Sequence, residues 1–425
     1  MPHRNPFSPH NPRTERTVLV TDANTLGAIA CIRSLGRVGY RVIACADDPD
    51  ALGLHSRYAT LGLTHPPYAN AGNFLAWFDR TVAEHTPDLV IPSEGFLLAL
   101  QPQLASYREL LVGADRADRL YRAFSKYSVL QSFASGEDPA LRDHLPETLL
   151  DDGIEPLETV LAEAETFGFP LYLKADALHA RSTAAGQVVK IDDPVTLRSE
   201  VRRLRTIYDR ITLQGHAPGV GVAAFALLDR GELTASFMHR RLHEVPHTGG
   251  VSAYRCSWNH PAIHADALRR LRHLEYQGAA MVEYRWDPET DRFWFIEVNA
   301  RFWGSLHLAL AAGVDFPRLL ADQHFSLERP RELPRWRCVR MRQTVPLESA
   351  WLIGSLRDRA LPWRLKMRRL AEFVLLGLDP RVGSDYLFPG DRGLYWRALG
   401  RHLRHLATRA LPQRQQGAVT WPQKP

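Results

Sequence analysis

The chain has 425 residues, 45% hydrophobic and 24% charged, the composition of a globular protein large enough for several domains, which excludes disorder over most of its length. Its four cysteines (Cys31, Cys45, Cys256, Cys338) form no CxxC pair and no apolar run approaches the ~20 residues of a membrane span, which argues against a disulfide framework, a thiolate zinc site and a spanning helix and leads to an expected cytoplasmic location. The net charge of +6 is uneven: residues 331–425 carry 19 Lys+Arg against 7 Asp+Glu, whereas residues 1–330 are slightly acidic, an asymmetry that concerns partners rather than fold.

Residues 1–16 are basic and proline-rich without an apolar signal core, and are expected to form a disordered arm. Residues 17–22 (TVLVTD) read as a strand, 25–38 as a helix ended by Gly39, and 41–46 (RVIACA) as a second strand. A helix at 72–85, a strand at 88–91 stopped by Pro92 and a short strand at 110–112 continue the rhythm. This α/β alternation predicts a doubly wound parallel sheet over 17–115. A helical stretch at 116–135 opens a block of different, α+β character that runs to 330. Residues 170–175, 187–191 and 211–214 read as strands, with a helix at 196–208. Segments 222–228 and 233–240 alternate and meet at 229–231, a hairpin signal, and 279–286 with 293–298 form a second hairpin around 287–291. Residues 306–312 are helical up to Gly313.

Beyond 331 periodicity returns only at 356–375, so 331–425 is expected to be a basic, mainly helical extension. Leu361, Leu365, Leu370, Phe373 and Val374 stand there beside Arg364, Lys366, Arg368 and Arg369. Two readings fit: a solvated helix face, or peripheral contact with an anionic membrane. Nucleic acid is not expected as a partner.

The second hairpin carries the chemistry. Side chains alternate along a strand, so Glu283, Glu297 and Asn299 share one face, and Val282, Tyr284, Trp286, Trp294, Ile296 and Val298 are expected to face the core. With the turn centred on Glu289, Glu283 opposes Phe295 and Glu297 opposes Met281, which makes the two acids diagonal neighbours within ~7–8 Å. Two carboxylates that close repel each other unless a cation joins them, and Mg²⁺ favours one or two carboxylates plus phosphate oxygens. Only five of the 53 basic residues are lysines, Lys126 and Lys174 among them. A compact ammonium suits a place where one charge must reach a phosphate.

The run EVNAR (297–301), with Glu283 one strand earlier, resembles the metal-binding signature of the ATP-grasp superfamily. FWGS (302–305) and AAGVDFP (311–317) resemble its carboxylate–amine ligase branch, related to carbamoyl-phosphate synthase, and SRY (56–58) with VIPSE (90–94) resembles the preceding domain of that branch. The resemblance spans about 17–320. It implies a pre-ATP-grasp domain at 17–115 and a two-lobed ATP-grasp domain at 116–330. By the same resemblance, Glu283, Glu297 and Asn299 hold the Mg²⁺ (with Mn²⁺ as a substitute) that bridges ATP phosphates, and Arg301 meets the reacting carboxylate or the transferred phosphoryl group. Lys126 opens the ATP-grasp unit, and Lys174 reaches the α/β phosphates. Loop 180–186, ending in Gly186, covers the phosphates. Gln214, His216 and Ala217 fall in the adenine hinge QGHAPG, where Gly215 replaces a common acid. HRR (239–241) and TGGVS (248–252) line the acceptor side. Only one of Arg240 and Arg241 can face the site, and Arg240, with Arg255, is the candidate.

The implied activity is ADP-forming ligation of a small carboxylate to an amine, both amino-acid-like, through an acyl phosphate. A small-molecule kinase on the same fold and a non-catalytic nucleotide-binding regulator stay open. Only Gly27 of a dinucleotide fingerprint is present, and neither a GxxxxGK[ST] loop nor a GxSxG elbow occurs. His239, His243 and His247 fall on a strand and loop, which argues against a histidine metal site.

Overall fold

The computed structural model describes residues 11–410 except 183, 248 and 328, with side chains described to residue 404. Four short apolar strands, β1 (Thr17–Val20), β2 (Arg41–Ala46), β3 (Leu61–Thr64) and β4 (Leu89–Ile91), form an all-parallel sheet in the order β3-β2-β1-β4. Helix α1 (Leu26–Val38) returns the chain from β1 to β2. Thr25 caps it by accepting the Ala28 amide, and Gly39 at φ 108° ends it. Helix α2 (Ala71–His85) returns β3 to β4. The strand order reverses between β1 and β4, so a crevice opens at their carboxyl ends. There Ser93 caps α3 (Glu94–Leu100), placing Glu94 at the crevice mouth.

Two expectations for this region are corrected. Residues 110–112 form no strand; Leu110 ends a 3₁₀ run at Gln101–Leu110 whose tight turns bury Leu104. Residues 11–16 are not a loose arm: Pro12–Glu15 is a 3₁₀ turn, and the Arg13 guanidinium donates two 2.8 Å bonds to Asp322. Residues 1–10 lie outside the described part. The stretch 116–135 is two helices, α4 (Ala117–Phe124) and α5 (Lys126–Ser135). Ser125 breaks it by turning extended and accepting the Ser128 amide as the cap of α5.

A second sheet, β5 (Thr148–Asp151), β6 (Leu171–Ala175), β7 (Gln187–Ile191) and β8 (Ile211–Gln214), is antiparallel in the order β5-β8-β6-β7. Helices α6 (Leu157–Glu165) and α7 (Pro194–Ile207) bury Val160, Leu197 and Val201 against it.

The third sheet is the largest, with seven strands in the order β13-β12-β9-β10-β11-β14-β15. Its long strands are β9 (Val220–Asp229), β10 (Glu232–Val245), β11 (Val251–Ser257), β12 (Gly278–Trp286) and β13 (Phe293–Asn299). One face packs on α8 (Pro261–His273), a helix its Arg and His content conceals in the sequence. The other packs on α1, α9 (Leu306–Ala312) and α10 (Phe316–His324) through Phe225, Trp303 and Leu308. Gly27 of α1 allows close approach here, because a Cβ would stand 3.0 Å from the Trp303 carbonyl oxygen.

The basic end of the chain is woven into this sheet rather than appended to it. Strand β14 (Arg340–Arg342) pairs antiparallel with β11, and β15 (Val382–Ser384) pairs parallel with β14. Between and after them lie α11 (Ser349–Arg357), α12 (Trp363–Leu378) and α13 (Gly393–Ala410). Asp358 and Pro362 separate the first two, splitting the single helix expected at 356–375. Among the described residues no helix is long and apolar enough to cross a membrane.

Candidate functional site

In the β12–β13 hairpin, Met281 pairs with Asn299, Val282 with Val298 and Glu283 with Glu297, but Tyr284 pairs with Phe295. One residue, Ile296, is therefore left over as a bulge. The bulge corrects the expected register: the two glutamates stand directly opposite rather than diagonally. It also exchanges side chains between faces, so that Phe293 and Phe295 fill the core while Trp294 and Ile296 turn away from it. Asn299 sits between the acids, its carboxamide nitrogen donating 3.1 Å bonds to Glu283 and to Glu297.

Two lysines approach this trio from the second lobe. Lys126 is the first residue of α5, and its Nζ lies 3.5 Å from the buried Glu297 carboxylate, whose charge holds the ammonium above the ordinary lysine range. Lys174, buried on β6, donates to Gln214 Oε1 at 2.6 Å and to the Ile296 carbonyl at 3.4 Å, the carbonyl of the bulged residue. Asp176 fastens the two elements together by accepting 3.0 Å bonds from the Ser125 hydroxyl and the Tyr127 amide. The lysines thus join α5 and the β5–β8 sheet to the end of β13, where the two lobes meet.

Gln214 is buried and donates to Thr148 Oγ1 at 3.2 Å. His216 is exposed and stacks on Tyr172 with centroids 6.2 Å apart, while Ala217 is buried. Gly215 donates its amide to the Glu147 carbonyl at 2.8 Å, and a Cβ there would stand 3.5 Å from Glu147 Oε2. An acid therefore does stand at this hinge, brought by the residue preceding β5. Gly186 is exposed just ahead of β7, and the Tyr208 hydroxyl ties its loop by donating to the Ala185 carbonyl.

The arginines fall differently from expectation. On β10, Arg240 pairs across with Val222, in line with Tyr284 on the face toward α8, so it points away from the acids. Arg241 takes the other face and donates to Glu283, to Glu244 at 3.4 Å and to the Gly250 carbonyl at 2.9 Å. Gly221 lets it cross β9, since a Cβ there would meet the Arg241 Cδ at 2.7 Å. Burial lowers the proton affinity of Arg241, but the Glu283 and Glu244 charges outweigh it and the net shift is upward. Glu244 also accepts from Arg285 at 2.9 Å, which continues the row of alternating charge.

Arg255 is fully buried and pairs with Asp385, delivered by the segment after β15. It is a core ion pair away from the acidic trio. Beside it Arg33 binds Asp391 at 2.9 Å and contacts His307 at 3.0 Å. Arg301 lies 3.7 Å from Glu94 and donates to the Phe302 carbonyl at 3.1 Å, which sets the acidic hairpin against the crevice mouth of the first sheet.

Several residues here escape a reading of the sequence. Glu94 had a signal, its place right after β4, and Arg241 had the parity of its strand. Trp351, Arg369 and Glu372 had none: α11 and α12 carry them to a cleft of about 390 Å³ beside Arg241, His243, His247 and Arg285. There His243 stacks on Trp351 at 3.6 Å, and His247 bonds Asp358 at 2.8 Å. A separate hollow of about 480 Å³ on the α8 surface holds none of the site residues.

Among the described residues no group of three or more His, Cys, Asp or Glu side chains could hold a metal ion. The trio offers two carboxylates and one carboxamide. Such a set suits Mg²⁺, which keeps water and phosphate oxygens among its ligands.

The family described as carbamoyl-phosphate synthase L chain, ATP binding domain, matches residues 257–319, which include all of β12 and β13. None of the curated proteins matches the chain. Among solved structures, N5-carboxyaminoimidazole synthetase from Staphylococcus aureus is similar with TM-score 0.59 at 13% identity, over 80% of this chain and 85% of that one. Biotin carboxylase from Campylobacter jejuni gives 0.56 at 15% identity, over 74% and 72%. L-amino acid ligase from Bacillus licheniformis gives 0.53 at 15% identity, over 74% and 75%. The fold is that of the ATP-grasp proteins, as the motifs led one to expect.

Proposed function

We propose that this chain, on its ATP-grasp fold, is an ATP- and Mg²⁺-dependent carboxylate–amine ligase that releases ADP and phosphate. The observation that carries the proposal is the pair Glu283 and Glu297, clasped by Asn299 and countered by Lys126 on one side and Arg241 on the other. Like charges are held together there by cationic and amide groups whose place a bound cation would take. Glu283, Glu297 and, with its carboxamide turned over, the Asn299 oxygen would hold Mg²⁺, or Mn²⁺ in its place. The ion supplies neutralising charge to the phosphate oxygens of ATP.

The chain's own residues do the rest. Lys174 and Lys126 point into the cleft where the triphosphate lies, and Gln214 with the hinge at 215–217 meets the base. Arg241 swings from Glu283 to the γ-phosphoryl oxygens. Arg301, steadied by Glu94, orients the carboxylate so that its oxygen attacks the γ-phosphorus in line and ADP leaves. The acyl phosphate now has a good leaving group. The amine attacks its carbonyl carbon, phosphate departs, and the amine proton passes to phosphate or solvent. Loop 180–186, of which residue 183 lies outside the described part, covers the phosphates and limits hydrolysis. Likeness to an L-amino acid ligase supports amino-acid-like substrates.

The test is ADP release across pairs of amino acids, read together with product mass. A product lighter by one water than the sum of the pair, formed only when both are present, supports ligation. A stable phosphate ester formed without an amine overturns it in favour of a kinase.

A further inference from the structure

The two faces of α12 are unlike. The inner face binds the protein: Arg369 donates to Ser355 at 2.8 Å and lies over the Trp351 ring, Glu372 meets His243 at 3.3 Å, and the Phe373 carbonyl accepts from Arg342 at 3.2 Å. The outer face carries Trp363, Met367, Leu370, Val374, Leu375 and Leu378, each between 38% and 74% exposed, and no residue of the helix is buried. The spacing from 363 through 367, 370, 374 and 378 follows the helical repeat, so these side chains form one stripe four turns long. Arg364 and Arg368 are exposed at its border, Arg357 and Arg359 are exposed near its start, and Arg381 at its end pairs with Asp379 at 2.9 Å. Glu372, the helix's single acid, is turned inward.

We infer that α12 is the segment by which the protein docks onto an anionic phospholipid surface. A solvated helix does not need five large exposed apolar side chains in one line with a sixth beside it. A second copy of the chain in parallel register is disfavoured as occupant, because it sets Arg364 and Arg368 against their own copies. An anionic bilayer matches both features: apolar side chains enter the boundary of headgroup and acyl chain, and arginines stay at the phosphates.

The experiment is vesicle co-flotation of the full chain, with light scattering of the protein alone. The full chain is expected to float with vesicles containing phosphatidylglycerol, to stay behind with pure phosphatidylcholine and to be released by salt. The triple variant Trp363→Ser, Val374→Ser, Leu378→Ser and the pair Arg364→Glu, Arg368→Glu are each expected to lower partitioning by about tenfold or more without change in melting. Equal binding to both lipids, no binding to either, or wild-type flotation of the variants overturns the inference. So does a dimer that the triple variant dissociates. None of these outcomes bears on ligation, which is read in solution.

Discussion

Replacing Glu297 with Gln removes one charge from the trio and leaves its shape. Two opposed electrostatic effects set the outcome for the unliganded protein. At 3.5 Å from Lys126, the lost attraction is about 5 kcal/mol in gross terms with an effective dielectric of about 20. Glu283 and Glu297 each accept from one Asn299 nitrogen, which puts their nearest oxygens about 5–6 Å apart, so about 3 kcal/mol of repulsion is relieved at the same dielectric. The difference leaves stability within about 2 kcal/mol of wild type. The effect on Mg·ATP is far larger, because one of only two anionic donors is gone. Loss of a comparable charge-stabilising group costs about 10²–10³ in rate. Saturating Mg·ATP at about a hundred times its dissociation constant stabilises a folded protein by about 2.7 kcal/mol, and that thermal shift is expected to vanish in the variant. Melting with and without Mg·ATP, beside ADP release, reads both quantities. Wild-type turnover with an intact thermal shift refutes the assignment of these acids; a variant unfolded without ligand refutes the electrostatic balance.

Gly221→Val drives a side chain into the path of Arg241 and is expected to lower turnover at least tenfold while leaving melting within a few degrees; unchanged turnover removes Arg241 from the mechanism. Arg255→Leu leaves Asp385 buried without its partner and is expected to cost about 3–5 kcal/mol in denaturant unfolding; a stable but inactive variant would make Arg255 catalytic after all. His239 and His307 are held well below the ordinary histidine range, by burial first and by neighbouring arginines second. The unfolded chain takes up protons near pH 6.5 and the folded one does not. Stability is therefore full above that pH and falls on acidification by about 1.4 kcal/mol per pH unit for each histidine. His239→Leu is expected to flatten the slope between pH 6.5 and 5, and an unaltered slope counts against the reading.

The hairpin of β12 and β13 was legible because its acids, amide and arginine stand at even spacing on either side of a polar turn. The bulge at Ile296 was not: FWFIEVN is apolar on both parities ahead of Glu297, and no glycine or proline marks the extra residue. Lys126 and Lys174 stood out by scarcity in an arginine-rich chain. Arg240 and Arg241 differ only by parity, and the face of β10 was fixed by partners the sequence does not order. Strands β14 and β15, three residues each, are too short for any period to show. Nothing in the sequence marks Arg33, Asp385 and Asp391, which distant elements bury in pairs.

That last pairing has a temporal meaning. Arg33 and Asp391 are 358 positions apart. At roughly 5–20 residues per second, a ribosome completes α1 roughly 20–70 s before it supplies the carboxylate that neutralises the guanidinium. Until then the Arg33 guanidinium lacks the carboxylate that neutralises it in the folded protein. Closure of this interior pair therefore waits until residue 391 has been made, and a fragment ending before residue 385 lacks both carboxylates.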